Sequence, residues 1–600
     1  MLQRAMRACG QRFGLPTMLP GACLLLLLLA APGITLASGK TTPALPASVA
    51  AKPIQLEGEL ELWTEDDFKN KKSHSRQFLK TEAGQRYELK FKTKQPQHEP
   101  GSKVRVQGTL SGNSLMLETG GDTSYQYLAA PATGINALGV QSTAVLLVNF
   151  QDQPANKPWT PEQWHSFVFG SASGSVNNFY LENSYQQTSF SGKVFGWYTL
   201  PLNSTDTCNS DNIASAAKAA ASAAGVDLSG YARVVYAFPN TSSCSWGGLS
   251  SVGSVPSQSF INGTMSLSVV GHELGHALGL WHSHGLDCDV SATGNSCTYV
   301  EYGDRVDIMG WQTGHLNAFQ KERLGWLNYS ASPAITTVQN SGSYVIEPIE
   351  TSGSNAKGLK ILKSTDPVTG AKTWYYLEYR QPIGVDYYFS TNSIYQPGNI
   401  FAGVWVRTGT DGAASSSYAL DMTPGSLSYS ATADLADPAL VIGQSYTDTS
   451  AGVTITPTWA NSSGIGVDVT FAKSTCTRAN PSLVMSSPGS TVVAGTAVTY
   501  TVAVTNNDSS SCSAASFSLQ GSLPSGWSGS WKNASLSLAA GSSASTTLTV
   551  TSPGSALAGS YSIGAKASNS SATAYSGSGA SSYVIGSSTT TTTRAKGRSK

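Results

Sequence analysis

Apolar and polar residues alternate in short runs along the first part of the chain. These runs span 56–62, 87–91, 104–110 and 115–117, with glycine-containing turns between them. A period of two is typical of strands with one buried face, so the pattern predicts a small β-barrel of the OB type within the N-terminal segment 38–130. Charges are dense here, but lysines alternate with acidic residues, which indicates a solvated strand face and no nucleic-acid site.

The pattern changes between 135 and 335, where apolar strands alternate with helical periodicity. Strands are predicted at 143–150 and 231–238, and an alanine-rich helix at 213–224. A second helix at 265–280 places Val269, Leu274 and Ala277 on one face, so this face packs in a core while the opposite face borders a cleft. The alternation predicts an α/β domain.

Beyond 327 the helical periodicity stops and β-like runs follow. Runs at 374–379, 401–406 and 453–456 predict an accessory β-sandwich over 336–475. Residues 480–586 carry few charges, and their valines alternate with Thr and Ala as in an immunoglobulin-like β-sandwich. The end, 587–600, is typical of a disordered tail. Six hundred residues exceed a single core, so we expect a multidomain fold.

One part of the second helix carries the residues for metal chemistry. His272 and His276 are four residues apart, so on a helix both rings reach one metal ion, and Glu273 borders the same point. Gly279 allows the helix to end and the chain to turn back, which brings His282 to the site as a third ligand. Three protein ligands leave one position open, as in catalytic zinc sites.

This HExxHxxGxxH motif resembles the signature of the metzincin zinc peptidases. The amino-acid sequence at 175–185 and 315–326 is similar to that of the gametolysin branch of this clan. The resemblance covers roughly 135 to 335. It implies a metzincin-like α/β fold and a zinc cofactor. It also implies that the protein is a secreted peptidase whose partners are its substrates, extracellular-matrix or cell-wall proteins. It also implies a methionine turn beneath the ligands, for which Met309 is the candidate. Trp311 stands where some metzincins have a tyrosine near the metal, so we expect no tyrosine donor from this turn.

The expected reaction is zinc-dependent peptide hydrolysis, with Glu273 as the general base toward water. The chain is therefore predicted to be a zinc metalloendopeptidase. An alternative is an adhesive or polysaccharide-binding surface protein with an inactive peptidase domain. The intact Glu273 favours the enzyme, because a binding protein has no chemical need for a general base.

The N-terminus and the cysteines indicate export. Residues 1–37 are typical of a signal peptide, with an apolar run too short for a membrane span. Without this leader six of the 8 cysteines remain, and proximity favours the pairs Cys208–Cys244, Cys288–Cys297 and Cys476–Cys512. We expect a secreted, extracellular protein without a membrane span, and we make no prediction of its oligomeric state.

Other polar residues near the motif are weaker candidates. A calcium site without EF-hand spacing is conceivable in the loop that contains Asp287, Asp289, Glu301, Asp304 and Asp307. His284 is expected to be an exposed loop residue rather than a contact of the site. His315 is expected to be packed or solvated rather than catalytic.

The segment 38–130 precedes the peptidase region, where a prodomain would stand. A removable prodomain and a permanent accessory barrel are both open interpretations. No cysteine lies between Cys23 and Cys208, which excludes a cysteine switch. Inhibition would then require steric cover or an oxygen ligand, for which Asp122 and Asp152 are candidates.

Overall fold

The computed structural model describes residues 53–92, 95–96, 98–117, 124–131, 135–294, 296–327, 333–392, 398–426, 434–472, 476–486 and 489–587. The predicted leader, and the predicted tail from 588, lie outside these ranges. The described chain is multidomain and mostly β, with several sheets. In the described part, no helix combines the length and the apolar character needed to cross a membrane.

Six strands make up the N-terminal part of the described chain. They are β1 (Ile54–Asp67), β2 (Lys72–Lys80), β3 (Arg86–Lys90), β4 (Lys103–Ser111), β5 (Ser114–Leu117) and β6 (Tyr125–Ala129). Because β1 pairs with both β2 and β4, five strands close into a barrel in the order β1-β2-β3-β5-β4, and β6 adds to β4. Alternate residues such as Leu60, Leu62 and Val104 fill its core. The OB-type assignment of this barrel stays a prediction.

The predicted peptidase region combines five strands with four helices. These are β7 (Gly139–Phe150), α1 (Pro161–Phe169), α2 (Val176–Asn183), β8 (Thr188–Leu200), α3 (Ser210–Ala223), β9 (Arg233–Phe238), β10 (Gly248–Val252), β11 (Ser257–Asn262) and α4 (Leu267–Ala277). The strand order is β10-β11-β9-β7-β8, with only β10 antiparallel to its neighbour β11. Val145 and Leu147 face one core, with α1, α2 and α4, whereas Leu146 and Val148 face a second core with α3.

The barrel and the peptidase strands form one continuous sheet. β1 pairs antiparallel with β10, with residues 62–66 opposite residues 252–248. The strand at the edge of the peptidase sheet is therefore covered by the N-terminal barrel. Alternation along β1 predicts a strand but contains no information about this partner.

The described residues of the next part of the chain form two facing sheets, with short helices beside them. Its elements are β12 (His284–Asp287), β13 (Thr298–Val300), α5 (Ala318–Arg323), β14 (Ile335–Val338), β15 (Gly342–Ile346), β16 (Gly358–Thr365), β17 (Lys372–Tyr379), a 3₁₀ helix (Gly384–Asp386), α6 (Tyr387–Thr391), β18 (Gly403–Thr410), β19 (Ala413–Leu420), β20 (Leu440–Val441), β21 (Tyr446–Asp448), β22 (Val453–Asn461) and β23 (Gly464–Phe471). One sheet has the order β13-β12-β19-β18-β17-β16-β14, and the other β15-β23-β22-β21. Contrary to the prediction, helical structure continues beyond 327, in α6. This helix was not predicted because it is too short to show helical periodicity in the sequence.

The C-terminal part is a separate pair of sheets. It contains β24 (Ser482–Met485), β25 (Thr491–Val492), β26 (Ala497–Thr505), β27 (Ala515–Ser522), β28 (Ser528–Trp531), β29 (Ser535–Leu538), β30 (Ser543–Thr551), β31 (Gly559–Asn569) and β32 (Ser576–Ile585). The sheets are β24-β26-β30-β28 and β25-β32-β31-β27-β29, with Tyr500, Val502 and Phe517 in the core between them.

Three disulfides cross-link the chain. Cys208 pairs with Cys244, Cys288 with Cys297, and Cys476 with Cys512. These are the three predicted pairs, each formed between cysteines that are neighbours among the cysteines along the chain.

Candidate metal centre

Helix α4 carries two of the predicted ligands. It begins after Ser266 and ends at Ala277, three residues before the predicted end. Gly279 has φ +106°, a conformation that side-chain-bearing residues rarely adopt, and the chain reverses there. The turn brings His282 next to His272 and His276, with ring centroids 5.2 Å and 4.9 Å away.

Each of these three histidines is oriented by a contact at Nδ1. His272 Nδ1 lies 2.7 Å from the carbonyl oxygen of Ile308, and His276 Nδ1 lies 2.8 Å from that of Leu280. His282 Nδ1 lies 2.7 Å from Glu301 Oε1. With Nδ1–H donating to these oxygens, Nε2 of each neutral ring is left as an acceptor, the form that binds a metal ion.

The Nε2 atoms converge on a carboxylate from the N-terminal barrel. His272 Nε2 and His276 Nε2 are 3.0 Å apart, and Asp66 Oδ2 is 3.2 Å from His276 Nε2. Asp66 Oδ1 is 2.9 Å from His282 Nε2. The ligand atoms of all four residues lie within 4.8 Å of one another. A zinc ion with Zn–N bonds of about 2.0–2.1 Å places tetrahedral ligands roughly 3.3 Å apart, so the donor set fits this ion.

The electrostatics of the cluster also fit a cation. Burial holds the pKa of His272 and His276 below the usual value, which keeps both rings neutral. Burial also opposes a charge on His282, but the carboxylates of Asp66 and Glu301 outweigh it and raise its pKa to about 9. A metal ion bound by the three rings would balance these two carboxylates in place of the proton.

Glu273 lies beside the three histidines. Its carboxylate is fully buried, and neither oxygen has a hydrogen-bond partner among the described residues. Burial, followed by the negative charge of Asp66, raises its pKa well above the usual value. Space for the carboxylate depends on Gly248, since a Cβ at that position would lie 1.9 Å from Glu273 Oε1.

Met309, the predicted residue of the methionine turn, packs against helix α4. It is fully buried, and a Cβ on Gly275 of α4 would lie 2.4 Å from its sulfur. Asp307 closes the turn by accepting a hydrogen bond of 2.7 Å from the Met309 N–H. The same turn presents the Ile308 carbonyl to His272, so it orients a ligand as well as supporting the helix.

Tyr302 is a component of the site that the motif did not indicate. Its hydroxyl donates a 2.8 Å hydrogen bond to Asp66 Oδ1, and its ring centroid is 4.5 Å from that of His282. Position 311 in the methionine turn is a tryptophan, and the tyrosine at the site comes instead from the loop that precedes this turn. No spacing within the motif predicts it.

Buried ion pairs connect the turn to the adjacent β-sandwich. Arg407 on β18 donates to Asp304 at 2.5 Å, and Arg380, after β17, donates to the carbonyl of Val306 at 2.8 Å. His315 is buried between Asp386 and Glu182, each 3.0 Å away, so it is packed as expected. The sandwich therefore holds the loop that carries Met309.

Two secondary expectations were wrong, and a third falls outside the described residues. His284 is buried on β12, where its Nδ1 donates to the carbonyl of Glu301 at 2.7 Å, because the parallel pairing of β12 with β19 covers it. Asp152 accepts hydrogen bonds from Ser204 and does not belong to the histidine cluster, while Asp122 lies outside the described residues.

The five acidic residues considered for calcium do not form one site. Glu301 binds His282, Asp304 pairs with Arg407, and Asp307 closes the methionine turn. Asp289 is exposed. Asp287 instead lies with Asp421 and Asp434, and their carboxylate oxygens are within 4.8 Å of one another.

The site thus combines a set of buried metal-ligating side chains with a buried carboxyl group. Residues 144–391 match the family model described as gametolysin peptidase M11, which confirms the resemblance to gametolysin metallopeptidases for this region. Residues 492–570 match the model of the NPCBM-associated, NEW3 domain of alpha-galactosidase.

No match to the chain was found among curated proteins. Solved structures with local similarity include a FixG-related protein from Vibrio parahaemolyticus, at 11% identity and a TM-score of 0.16, covering 18% of this chain and 95% of that chain. Another is the secreted serine protease VesC from Vibrio cholerae, at 12% identity and a TM-score of 0.14, covering 22% of this chain and 29% of that chain. Scores this low define neither the fold nor the function of this protein.

Proposed function

We propose that this protein is a secreted zinc endopeptidase with a metzincin-like catalytic domain at about residues 135–335. The observation that carries the proposal is the convergence of three oriented imidazoles beside a buried glutamate whose carboxylate oxygens accept no hydrogen bond from the described residues. His272, His276 and His282 are the zinc ligands, and Met309 supports them from below. When bound, zinc polarises the scissile carbonyl and lowers the pKa of water.

Glu273 is the general base. It accepts a proton from the attacking water, whose oxygen bonds to the carbonyl carbon, and it delivers a proton to the leaving nitrogen as the C–N bond breaks. The products are a carboxyl group and an amine. Gly248 leaves Glu273 the space to face the reacting atoms.

Tyr302 stabilises the carbonyl oxygen of the substrate. In the structure its hydroxyl donates to an oxygen of Asp66 within the cluster, so it is directed at the place where a substrate oxygen would lie. A hydrogen bond from a donor fixed at this point becomes stronger as negative charge develops on the substrate oxygen.

The substrates are extracellular proteins, of the matrix or the cell wall. Three disulfides support an extracellular location. The match at 492–570 supports a C-terminal accessory module that is associated with carbohydrate, which suits substrates in a polysaccharide-rich wall. The same match is also the observation that favours the alternative, a polysaccharide-binding surface protein with an inactive peptidase domain.

Zinc content and casein hydrolysis test the proposal, measured before and after limited trypsin treatment. After trypsin treatment we expect the native protein to bind zinc and hydrolyse casein, and Glu273→Gln to keep the zinc but lose about 100-fold or more in rate. Glu162→Gln, at an exposed glutamate at the start of α1, is the matched control and should behave as native. Glu273→Gln activity within about tenfold of native would refute the assigned base. A zinc-free, inactive native protein that binds polysaccharide would establish the alternative.

A further inference from the structure

A strand of the N-terminal barrel covers the peptidase strand that borders the site. β1 pairs with β10 along residues 62–66, and β10 begins at Gly248, against Glu273. An extended peptide at this edge would have to form hydrogen bonds with the same backbone N–H and C=O groups of β10 that pair with β1. The edge is therefore closed to a substrate while β1 is in place.

At the end of this pairing Asp66 enters the histidine cluster. Its side chain is fully buried, and Oδ2 forms no hydrogen bond within the described residues. Among those residues, no lysine or arginine pairs with Asp66; its charged contacts are the three histidines. A carboxylate buried at the point where three ring nitrogens converge completes a donor set for a positive ion at that point.

Neighbouring contacts hold Asp66 at that point. Tyr302 donates to Oδ1, and the ring of Phe68 lies edge-on to His272 at 5.0 Å. Ser73 of β2 donates to Glu301, the carboxylate that orients His282.

A second group of contacts docks the barrel beside the turn at Gly279. Arg323 of α5 donates through both terminal nitrogens to Glu99, and its Nε donates to the Gly279 carbonyl at 3.1 Å. Through Arg323, the barrel is therefore linked to the segment that leads from Gly279 to His282. These contacts make the position of Asp66 a property of the docked barrel and not of one flexible side chain.

We infer that Asp66 is the fourth ligand of the metal in the full-length chain and that it keeps the peptidase latent. The inference rests on the proposed function. Asp66 takes the place that water and the substrate carbonyl need, while β1 takes the substrate edge. Activation then requires hydrolysis of one peptide bond between β6 and β7, which consumes one water and leaves a carboxylate and an amine, followed by departure of the barrel. This favours the removable prodomain over the permanent barrel.

The test measures ligand exchange at the metal and not peptidase activity. Full-length protein carrying Glu273→Gln, which prevents self-cleavage, is loaded with Co²⁺, and acetohydroxamate is titrated while the visible cobalt spectrum is recorded. We expect Asp66→Ala to bind the hydroxamate at least about tenfold more tightly than the parent, with a cobalt spectrum that differs before the probe is added. Asp67→Asn is the matched control, because this adjacent carboxylate contacts Asn70 and not the histidines, and it should behave as the parent.

Two further measurements keep the inference testable if Asp66→Ala does not fold. Asp66→Asn preserves the shape of the side chain and should also change the cobalt spectrum. The parent protein itself should gain hydroxamate affinity after a cut between β6 and β7 and removal of the barrel. Equal spectra and equal affinities in all cobalt-loaded forms would overturn the role of Asp66 alone. Absence of bound cobalt from every form would overturn the proposed peptidase centre, and this inference with it.

Discussion

The space around Glu273 is set by a residue with no side chain. An added Cβ at Gly248 would lie 1.9 Å from the Glu273 carboxylate, while antiparallel pairing with β11 holds the backbone of β10 in place. We therefore expect Gly248→Ala to displace the general base and to lower kcat/KM of the processed enzyme by about 100-fold, with zinc retained. Gly230→Ala is the control, because a Cβ there would have no heavy atom within 4 Å. Equal kcat/KM in the two variants would refute the packing argument.

The hydroxyl of Tyr302 is the second residue-scale test. Tyr302→Phe keeps the ring against His282 but removes the donor, so we expect kcat to fall by about 10- to 100-fold with little change in KM. Tyr344→Phe, whose hydroxyl donates to Asn340 in the β-sandwich, should change neither parameter. Steady-state kinetics of the processed enzyme on a peptide substrate supply both values. A Tyr302→Phe enzyme with native kcat would show that this hydroxyl takes no part in the reaction.

Residues of the site were predictable from sequence where local spacing places them. The pair His272 and His276 follows from one helical turn, and His282 from a glycine that ends the helix. Asp66 and Tyr302 were not predictable, because each reaches the cluster through long-range contacts with elements of ordinary composition. Spacing in sequence carries no signal for such contacts.

A buried carboxylate in the β-sandwich makes its stability depend on pH. Burial alone would raise the pKa of Asp448, but hydrogen bonds from Ser450, Tyr375 and the backbone of Ala451, with Lys363 nearby, hold it well below the usual value. The ionised form therefore stabilises the folded state above the unfolded pKa of about 3.9, and this contribution is lost as the pH falls through the folded pKa.

We expect Asp448→Asn to lower the free energy of unfolding by about 2 kcal/mol at pH 7. The difference from native protein should shrink as the pH falls below about 3.9, because the native carboxylate then becomes protonated. Urea unfolding at a series of pH values, followed by tryptophan fluorescence, measures this difference. A difference of constant size from pH 7 to pH 2 would contradict the assignment.

Elements were predicted better than their partners. Runs with a period of two identified strands of the barrel and of the sandwiches, and β7 and β9 fall where apolar runs were found. The pairings of β1 with β10 and of β12 with β19 join distant segments, and nothing in an alternating pattern specifies which strand lies alongside. As a consequence, strands from both sides of the predicted boundary at 335 share one sheet.

At the scale of the whole molecule, the parts on either side of the peptidase region contribute to its site. The barrel inserts Asp66 from one side, and the β-sandwich holds the methionine turn through Arg380 and Arg407 from the other. Removal of the barrel should thus open the site, whereas removal of the sandwich should collapse it. A fragment of residues 135–335 would lack both arginines. We therefore expect this fragment to be inactive.

The most direct test of the proposed zinc site is to locate the metal in a crystal structure. Crystals of the full-length protein grown with zinc, measured on both sides of the zinc absorption edge, should show an anomalous peak about 2.0–2.1 Å from Nε2 of His272, His276 and His282. An oxygen of Asp66 should complete the coordination in the uncleaved chain. A well-ordered site with no peak at these three nitrogens, or zinc bound only at other residues, would contradict the account.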